Sequence, residues 1–376
     1  MQRDPALLES GRVVHVVGRV TDEVFSFLGP ATHALACTGR EQVVVMIDEL
    51  RHRHHVVGLH ASAELMVVPS LRNPIRQWSA VRKACRAAAQ AGPLHAVHLH
   101  GFLPGLVGAQ LMRKRGAGVP LFFSPHGSRA IGTLRGPGQL ALLLVRALLP
   151  TSRIAAIVNV PRETQAFSNW KSAELVESPV GEVFFAVPRN DARHPLVVTG
   201  GRSQGVRNVE LLTQLAVLLS GEDLRISFNW IGTVDSVSRV RLSAAGVGVF
   251  DVVDDAERAS RLAAGWIYLA PGGTRGFPLF LVEAMAAGLP CVALDCVQHR
   301  EVIRDGESGY LCASEHEMIE RMAALIDDPA LRSKLGQNAR ADARRRFAPN
   351  GFARKLMAAY AVHQETIESL MERTHR

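Results

Sequence analysis

Three short segments carry residue types that could do chemistry together. The first runs Pro271-Gly-Gly-Thr-Arg-Gly-Phe-Pro-Leu-Phe-Leu-Val-Glu-Ala-Met-Ala-Ala-Gly-Leu-Pro290, following an apolar strand-like run and opening a helix-like one. Gly272, Gly273 and Gly276 let the backbone approach a ligand closely, Pro278 suits a first helical turn, and the free N–H groups of such a turn attract an anion such as a phosphate. Glu283, farther along the helix, can accept two hydroxyl hydrogen bonds, as a ribose would offer. Taken alone, a Gly-rich strand–helix turn serves structure as often as function. The second segment, Val198-Thr-Gly-Gly-Arg-Ser-Gln-Gly-Val-Arg-Asn208, ends another strand. There Arg202 and Arg207 can fork onto a pyrophosphate, or stand solvated if the segment is read by itself. The third element is a pair of strand ends, His98-Leu-His100-Gly101 and Phe122-Phe-Ser-Pro-His126-Gly127-Ser128. His126 is either a ligand contact or a satisfied turn residue, and His100 either an acceptor contact or sheet-edge packing.

A metal has little to recommend it. His52, His54, His55 and His60 lie close in sequence, but Arg51 and Arg53 repel a cation and no carboxylate joins them. Asp254-Asp255 read as an acidic helix start, and no Asp-x-Asp stands at a suitable strand end.

The elements that must position these groups follow from composition and pattern. The chain has 376 residues, 47% apolar and 21% charged, enough for two to three domains with a large core, which excludes disorder, collagen and a disulfide-stapled miniprotein. Cys37, Cys85, Cys291, Cys296 and Cys312 are odd in number and lack Cys-x-x-Cys spacing, so reduced thiols in a cytosol are expected. Met1 to Arg12 lacks the apolar core of a signal peptide, and the longest apolar run, Leu140 to Leu149, contains Arg146 and is about half of the ~20 residues a membrane span needs. The net charge of +8 is uneven: residues 1–190 hold 21 Lys/Arg against 12 Asp/Glu, and residues 191–376 hold 22 against 23. The first half therefore suits an acidic partner such as an anionic membrane surface, unless its arginines simply solubilise it.

From Val13 onward, Val-rich runs alternate with helix-length segments. Strands are expected at Arg12–Val17, Gln42–Ile47, Glu64–Val68, Ala96–Leu99, Pro120–Ser124 and Ile154–Val158. After a Pro-rich stretch, Pro188–Pro195, read as a linker, the alternation resumes at Leu196–Thr199, Arg225–Ile231, Val247–Val252, Trp266–Leu269 and Cys291–Leu294. The pattern predicts an α/β protein of two Rossmann-like doubly wound parallel-sheet domains, 1–190 and 191–350. A helix over 351–376, with apolar spacing at Phe352, Leu356, Met357, Tyr360 and Ile367, should pack on one of the two domains.

Together these segments resemble the retaining GT-B glycosyltransferases of the group 1, or family 4, type, which include sucrose-phosphate synthase-like and lipopolysaccharide- or capsule-building enzymes. The resemblance covers residues 196–347 almost throughout. Gly201-Arg202 with Arg207 is similar to the family's Gly-Arg followed five positions later by a Lys, and Gly276-Phe-Pro-Leu through Glu283-Ala-Met-Ala-Ala-Gly-Leu-Pro290 to its most specific block. Asp295-Cys296, Arg300-Glu301-Val302-Ile303, Asp305-Gly306 and Gly309 resemble a subgroup's Asp-Cys…Arg-Glu-Ile-Ile…Asp-Gly pattern.

The resemblance implies two Rossmann-like domains facing across a cleft that closes to exclude water, a 351–376 helix that crosses back to pack on the N-terminal domain, and transfer with retention from a nucleotide-diphosphate sugar to a glycan or lipid-linked saccharide. Arg202 and Arg207 would hold the diphosphate and stabilise charge on the leaving group, Glu283 would bind the ribose, and His126 would orient the donor sugar. Gly201, Arg275, Gly276, Phe277, Pro278 and Leu279 complete the implied donor site, with Gly18, His100 and Gly101 on the acceptor side. No metal or other cofactor is implied, nor any nucleic-acid partner. The place implied is the cytoplasm, either free or at the inner face of the cell membrane; the basic segment Ile75–Arg86 is either an ordinary surface helix or one that lies on that face.

Two departures stand out. The family's Glu-x7-Glu pair has Arg275 at its first position, replacing an acceptor-only carboxylate by a donor-only guanidinium where the sugar's hydroxyls are contacted. The early glycine pair after the first strand is absent, with Asp22-Glu23 in its place after Gly18. Either Arg275 points to solvent or adds a phosphate contact, or the donor differs, as a uronic acid would, or the chain is a non-catalytic GT-B protein that binds nucleotide or glycan or partners an active transferase. A dehydrogenase is disfavoured, because no Gly-x-Gly-x-x-Gly follows the first strand.

Overall fold

Strands covered by helices on both faces have no polar side to present, which is why the Val-rich runs become parallel strands. The computed structural model describes residues 11–18, 20–48, 56–101, 119–126, 154–201, 206–219, 226–251, 254–272 and 277–374. The chain divides into one unit of Met1–Pro179 with Asn350–Arg376 and a second of Val180–Pro349.

The strands are β1 (Arg12–Val17), β2 (Gln42–Ile47), β3 (Ala63–Val68), β4 (Leu94–His100), β5 (Leu121–Ser124), β6 (Ile154–Val158), β7 (Ser172–Leu175), β8 (Leu196–Gly200), β9 (Ser227–Ile231), β10 (Gly248–Phe250), β11 (Ile267–Ala270), β12 (Cys291–Leu294) and β13 (Gly309–Cys312). The helices are α1 (Asp22–Ala36), α2 (Pro74–Gln90), α3 (Pro161–Ala166), α4 (Glu182–Ala186), α5 (Val206–Leu219), α6 (Ser236–Ala244), α7 (Asp255–Ala263), α8 (Leu279–Ala286), α9 (Val297–Arg300), α10 (Glu315–Asp327), α11 (Pro329–Phe347) and α12 (Pro349–Thr374). Six starts carry the expected cap chemistry: Thr21, Asn73, Asp235, Asp254, Ser314 and Asp328 each accept a backbone N–H of the first turn.

In the first unit the sheet order is β3-β2-β1-β4-β5-β6-β7, every pair parallel. The order reverses between β1 and β4, the switch point where such sheets bind ligands. Alternation splits the core in two. Val14, Val16, Val97 and Leu99 face one side. Val13, Ala96 and Phe122 face the other, where α1 covers them with Phe27 and α12 with Phe352, Leu356 and Tyr360. Phe27 meets Phe352 edge-on at 5.2 Å, and Tyr360 meets Phe122 at 4.4 Å. The helix after the second unit thus packs on the first unit, through four of the five apolar positions read from its spacing, Phe352, Leu356, Met357 and Tyr360; the Ile367 side chain lies outside the described residues.

In the second unit the order is β10-β9-β8-β11-β12-β13, again parallel, with its switch point between β8 and β11. The division at Pro179/Val180 falls ahead of the expected boundary at 190/191. The reason is local: Phe184 and Phe185 of α4 are buried in this unit's core, and Val180 donates to the Phe347 carbonyl. Nor does 188–195 hang free, since Asn190 and Ala192 donate to the Ala263 and Ala264 carbonyls and Trp266 donates back to Ala192 O at 2.8 Å. Asp22 and Glu23, after Gly18, lie in the first turn of α1 behind the Thr21 cap.

Candidate functional site

Each sheet gathers a group of polar residues at its switch point. In the second unit β8 ends at Gly200-Gly201, where Gly201 has φ +146°. A Cβ on Gly200 would lie 2.7 Å from the Phe280 ring and 2.9 Å from Ile231 O, so glycine lets the strand end pass under the first turn of α8. Past β11, a Cβ on Gly272 would lie 2.0 Å from the Asn208 side-chain oxygen, which seats the start of α5 against the loop after β11. Gly201, Gly272, Phe277, Pro278, Leu279 and Glu283 therefore come to the adjoining ends of β8 and β11. Pro278 stands at the N-cap of α8, whose first turn has no side-chain cap and no acidic residue. Arg202, Arg275 and Gly276 lie outside the described residues, as does the Arg207 side chain, although Arg207 itself sits in the first turn of α5.

Glu283 is buried at 2% exposure and its partner is a residue that no sequence motif disclosed. Arg258 of α7 donates Nε to Oε2 and an Nη to Oε1, both at 2.8 Å. Its guanidinium also reaches Asp255 at 2.7 Å and lies over the Phe184 and Phe280 rings at 5.2 and 5.3 Å. Burial pushes the Glu283 carboxyl up to about 7, against the pull of Arg258. The two-pronged geometry is that of an ionised pair, and it leaves each oxygen a further lone pair for a hydroxyl donor.

In the first unit the switch point is lined by histidines. β1 and β4 pair with His15 opposite His98 and Val17 opposite His100, and β5 places Ser124 beside His100. Two residues beyond Ser124, His126 adopts φ +49°, a left-handed conformation uncommon for a residue with a side chain. Gly101, with φ +90°, donates to Ser124 O at 2.8 Å and turns the chain away from the strand end. The four imidazoles are buried, with exposures of 0, 0, 1 and 8% for His15, His98, His100 and His126. His100 bonds His15 (Nε2 to Nδ1, 3.1 Å) and His126 (Nδ1 to Nε2, 2.8 Å). His98 bonds the Tyr360 hydroxyl and Ser124 Oγ, each at 2.8 Å. Burial holds His15 and His126 down to about 3 and takes His98 and His100 well below the usual range, so all four are neutral at pH 7.

His15, His98 and His100 each bring a nitrogen within 4.8 Å of the others, a spacing within reach of a metal. As arranged they are a poor ligand set: His98 spends both nitrogens on Tyr360 and Ser124, and its ring lies 4.1 Å from that of His100 at a 31° tilt, nearer stacking than convergence. Of the histidines near residue 55, His52, His54 and His55 lie outside the described residues. Of the sequence-expected site residues, His100 and His126 are brought into direct contact, Gly101 lies beside them, and Gly18 follows the end of β1. Sequence reasoning misses His15, though one histidine within an otherwise apolar Val-rich strand is a signal for it.

Residues 194–328 match the family described as "Glycosyl transferases group 1". A phosphatidyl-myo-inositol mannosyltransferase of Mycobacterium leprae is 38% identical over 111 residues, 29% of each chain, so the match spans less than a third of that relative. A D-inositol 3-phosphate glycosyltransferase of Catenulispora acidiphila is 27% identical over 314 residues, 74% of this chain and 73% of the relative. Among solved structures, Anabaena HepE in complex with UDP and glucose superposes with a TM-score of 0.71 at 14% identity, over 94% of this chain and 100% of that one. The fold is thus GT-B, as the family resemblance implied, built on the two parallel sheets expected from the pattern of strands.

Proposed function

With a group 1 glycosyltransferase domain on a GT-B fold as the premise, we propose that the chain moves a sugar from a nucleoside-diphosphate sugar to a glycan or lipid-linked saccharide, with retention of configuration. The observation that carries this reading is the gathering of Gly201, Gly272, the start of α8 and Glu283 at the β8–β11 switch point, inside the matched region. Glu283, held by Arg258, accepts from the ribose hydroxyls. Arg202 and Arg207 neutralise the diphosphate as it leaves, so the departing charge is met by fixed cations without a metal ion. His126 orients the sugar, and Arg275 meets a donor group richer in acceptors than a neutral hexose.

The test is release of nucleoside diphosphate from donor in the presence of a chelator. Arg202→Ala or Arg207→Ala should each lower turnover about 10²–10³-fold, the scale of losing one preorganised charge contact, with the fold intact by circular dichroism. Loss of less than threefold in both would sink the leaving-group assignment. A non-catalytic GT-B protein is the second reading, favoured by Arg275 and by Asp22-Glu23 in place of the early glycine pair; it predicts nucleotide binding without turnover.

Acceptor delivery at an anionic membrane surface is supported by α2, which has no acidic residue and exposes Arg76, Arg82, Lys83 and Arg86. Beside them Ile75 is 77% exposed, and Val67, on the edge strand β3, is 51% exposed. Among the described residues no helix is long and apolar enough to cross a membrane. Binding to vesicles containing phosphatidylserine should fall at least about tenfold in the Arg82→Glu/Arg86→Glu pair and weaken with salt, since each basic residue near such a surface contributes about 1 kcal/mol. Equal binding to neutral vesicles would refute it.

A further inference from the structure

The hydrogen-bonded histidines carry information about proton positions that the heavy atoms alone fix. Ser124 Oγ lies 2.8 Å from Ile157 O, to which it can only donate, so its single proton is spent there. It therefore accepts from His98 Nε2–H, and His98 Nδ1 is a bare lone pair that accepts from the Tyr360 hydroxyl. One tautomer is thereby set from the protein's own bonds.

The other three rings form a line, His15 Nδ1 to His100 Nε2 and His100 Nδ1 to His126 Nε2. Each neutral ring has one N–H, and each of the two links holds one proton. His100 can donate at only one of its nitrogens, so both links must run in the same direction. Three protons then fill two links and one end: either His126 Nδ1 carries an N–H and His15 Nε2 is bare, or the reverse. Both end atoms are buried and without a partner among the described residues. A buried N–H with no acceptor is rarer in proteins than an unused acceptor lone pair, so the bare nitrogen belongs at the deeper end, His15. His15 is fully buried, whereas His126 lies just past a strand end and is 8% exposed.

We propose that His15 and His100 are positioning residues that fix His126 as an Nδ1–H donor, so that the atom it meets in the bound donor is an acceptor oxygen of the sugar. This rests on the reading above that His126 faces the sugar. A one-way chain of neutral rings makes the donor direction a property of the fold rather than of the ligand. A lone imidazole would present either tautomer and discriminate less between an oxygen that accepts and a group that donates.

The test is a long-range ¹H–¹⁵N correlation spectrum of the full chain with ¹⁵N-labelled histidine at pH 7, assigned with single substitutions. His98 should be the Nε2–H tautomer and serves as the internal standard, while His15, His100 and His126 should all be Nδ1–H. An Nε2–H on His126 would overturn the proposal. Addition of nucleotide sugar should shift the His126 signals, and free nucleoside diphosphate should not; equal silence to both, with the tautomers as stated, would leave the chain's polarity in place and overturn the sugar-facing reading on which it rests. Functionally, His15→Leu removes the N–H that His100 Nε2 accepts and so releases the His100 tautomer. It should raise KM for nucleotide sugar about tenfold with nucleoside-diphosphate affinity unchanged, and His15→Gln, whose amide can donate to His100, should recover most of it. An equal loss for both ligands in His15→Leu, unrescued by Gln, would mark the residue as merely structural.

Discussion

Lowering the pH from 7 to 5 should destabilise the first unit steeply, in a range above that in which exposed carboxylates titrate. His15, His98, His100 and His126 are kept neutral by burial, two of them down to about 3 and two well below the usual range. Unfolded, each returns to a value near ~6.5. The unfolded chain therefore binds more protons between these limits, so the stability is fully present above the unfolded value and is lost as pH falls toward the folded one. Each such histidine changes the unfolding free energy by about 1.4 kcal/mol per pH unit, and the four together by about 5 kcal/mol per unit. Against a typical domain stability of about 5–15 kcal/mol, the unit should be largely unfolded near pH ~4.5. Urea denaturation from pH 7 to 5, followed by near-ultraviolet circular dichroism, should give a proton uptake approaching four. A midpoint that does not move over that range would contradict the neutral, buried cluster. Glu283, pushed up to about 7, acts with the opposite sign in the second unit: its contribution is full below the usual carboxylate value and is lost as pH rises through 7.

Arg258→Met should destabilise the second unit by about 3–5 kcal/mol, because it strands a carboxylate that is 2% exposed without its fork. The Glu283 carboxyl should rise further and be protonated at neutral pH, turning an acceptor of ribose hydroxyls partly into a donor. Nucleotide affinity should fall with it. Adding Glu283→Gln should recover most of the stability, since an amide needs no counter-charge, but not the nucleotide affinity. Equal stability of the single and double variants in urea would show that the pair is not coupled as the geometry indicates.

The strands were legible because parallel, doubly covered strands are continuous apolar runs, and the glycine turns because close backbone approach excludes a Cβ. β7 and β13 were not, since both are four-residue edge strands: Ser172, Ala173 and Glu174 give β7 no apolar run, and Gly309-Tyr-Leu-Cys312 is half-buried and opens on a glycine. Pro188–Pro195 has the composition of a linker, yet its backbone is bonded to residues far along the chain, around Ala263 and Ala264. The candidate site divides in the same way. Glu283 and His126 stand in local motifs, whereas Arg258 reaches Glu283 from another helix, and His15 meets His100 only because β1 and β4 are neighbours in the sheet. Partners made by strand order cannot be read from spacing.

A β8–β11 switch point that serves transfer must bind a nucleoside-diphosphate sugar in solution. The most direct measurement is calorimetric titration of the full chain, with chelator present, against a panel of nucleotide sugars and free nucleoside diphosphates, for the wild type and Glu283→Ala. Selective binding to one base is expected, weakened about a hundredfold in the variant, the scale of losing two charge-assisted hydrogen bonds. A folded wild type that binds no member of the panel, or a variant that binds as the wild type does, would contradict it.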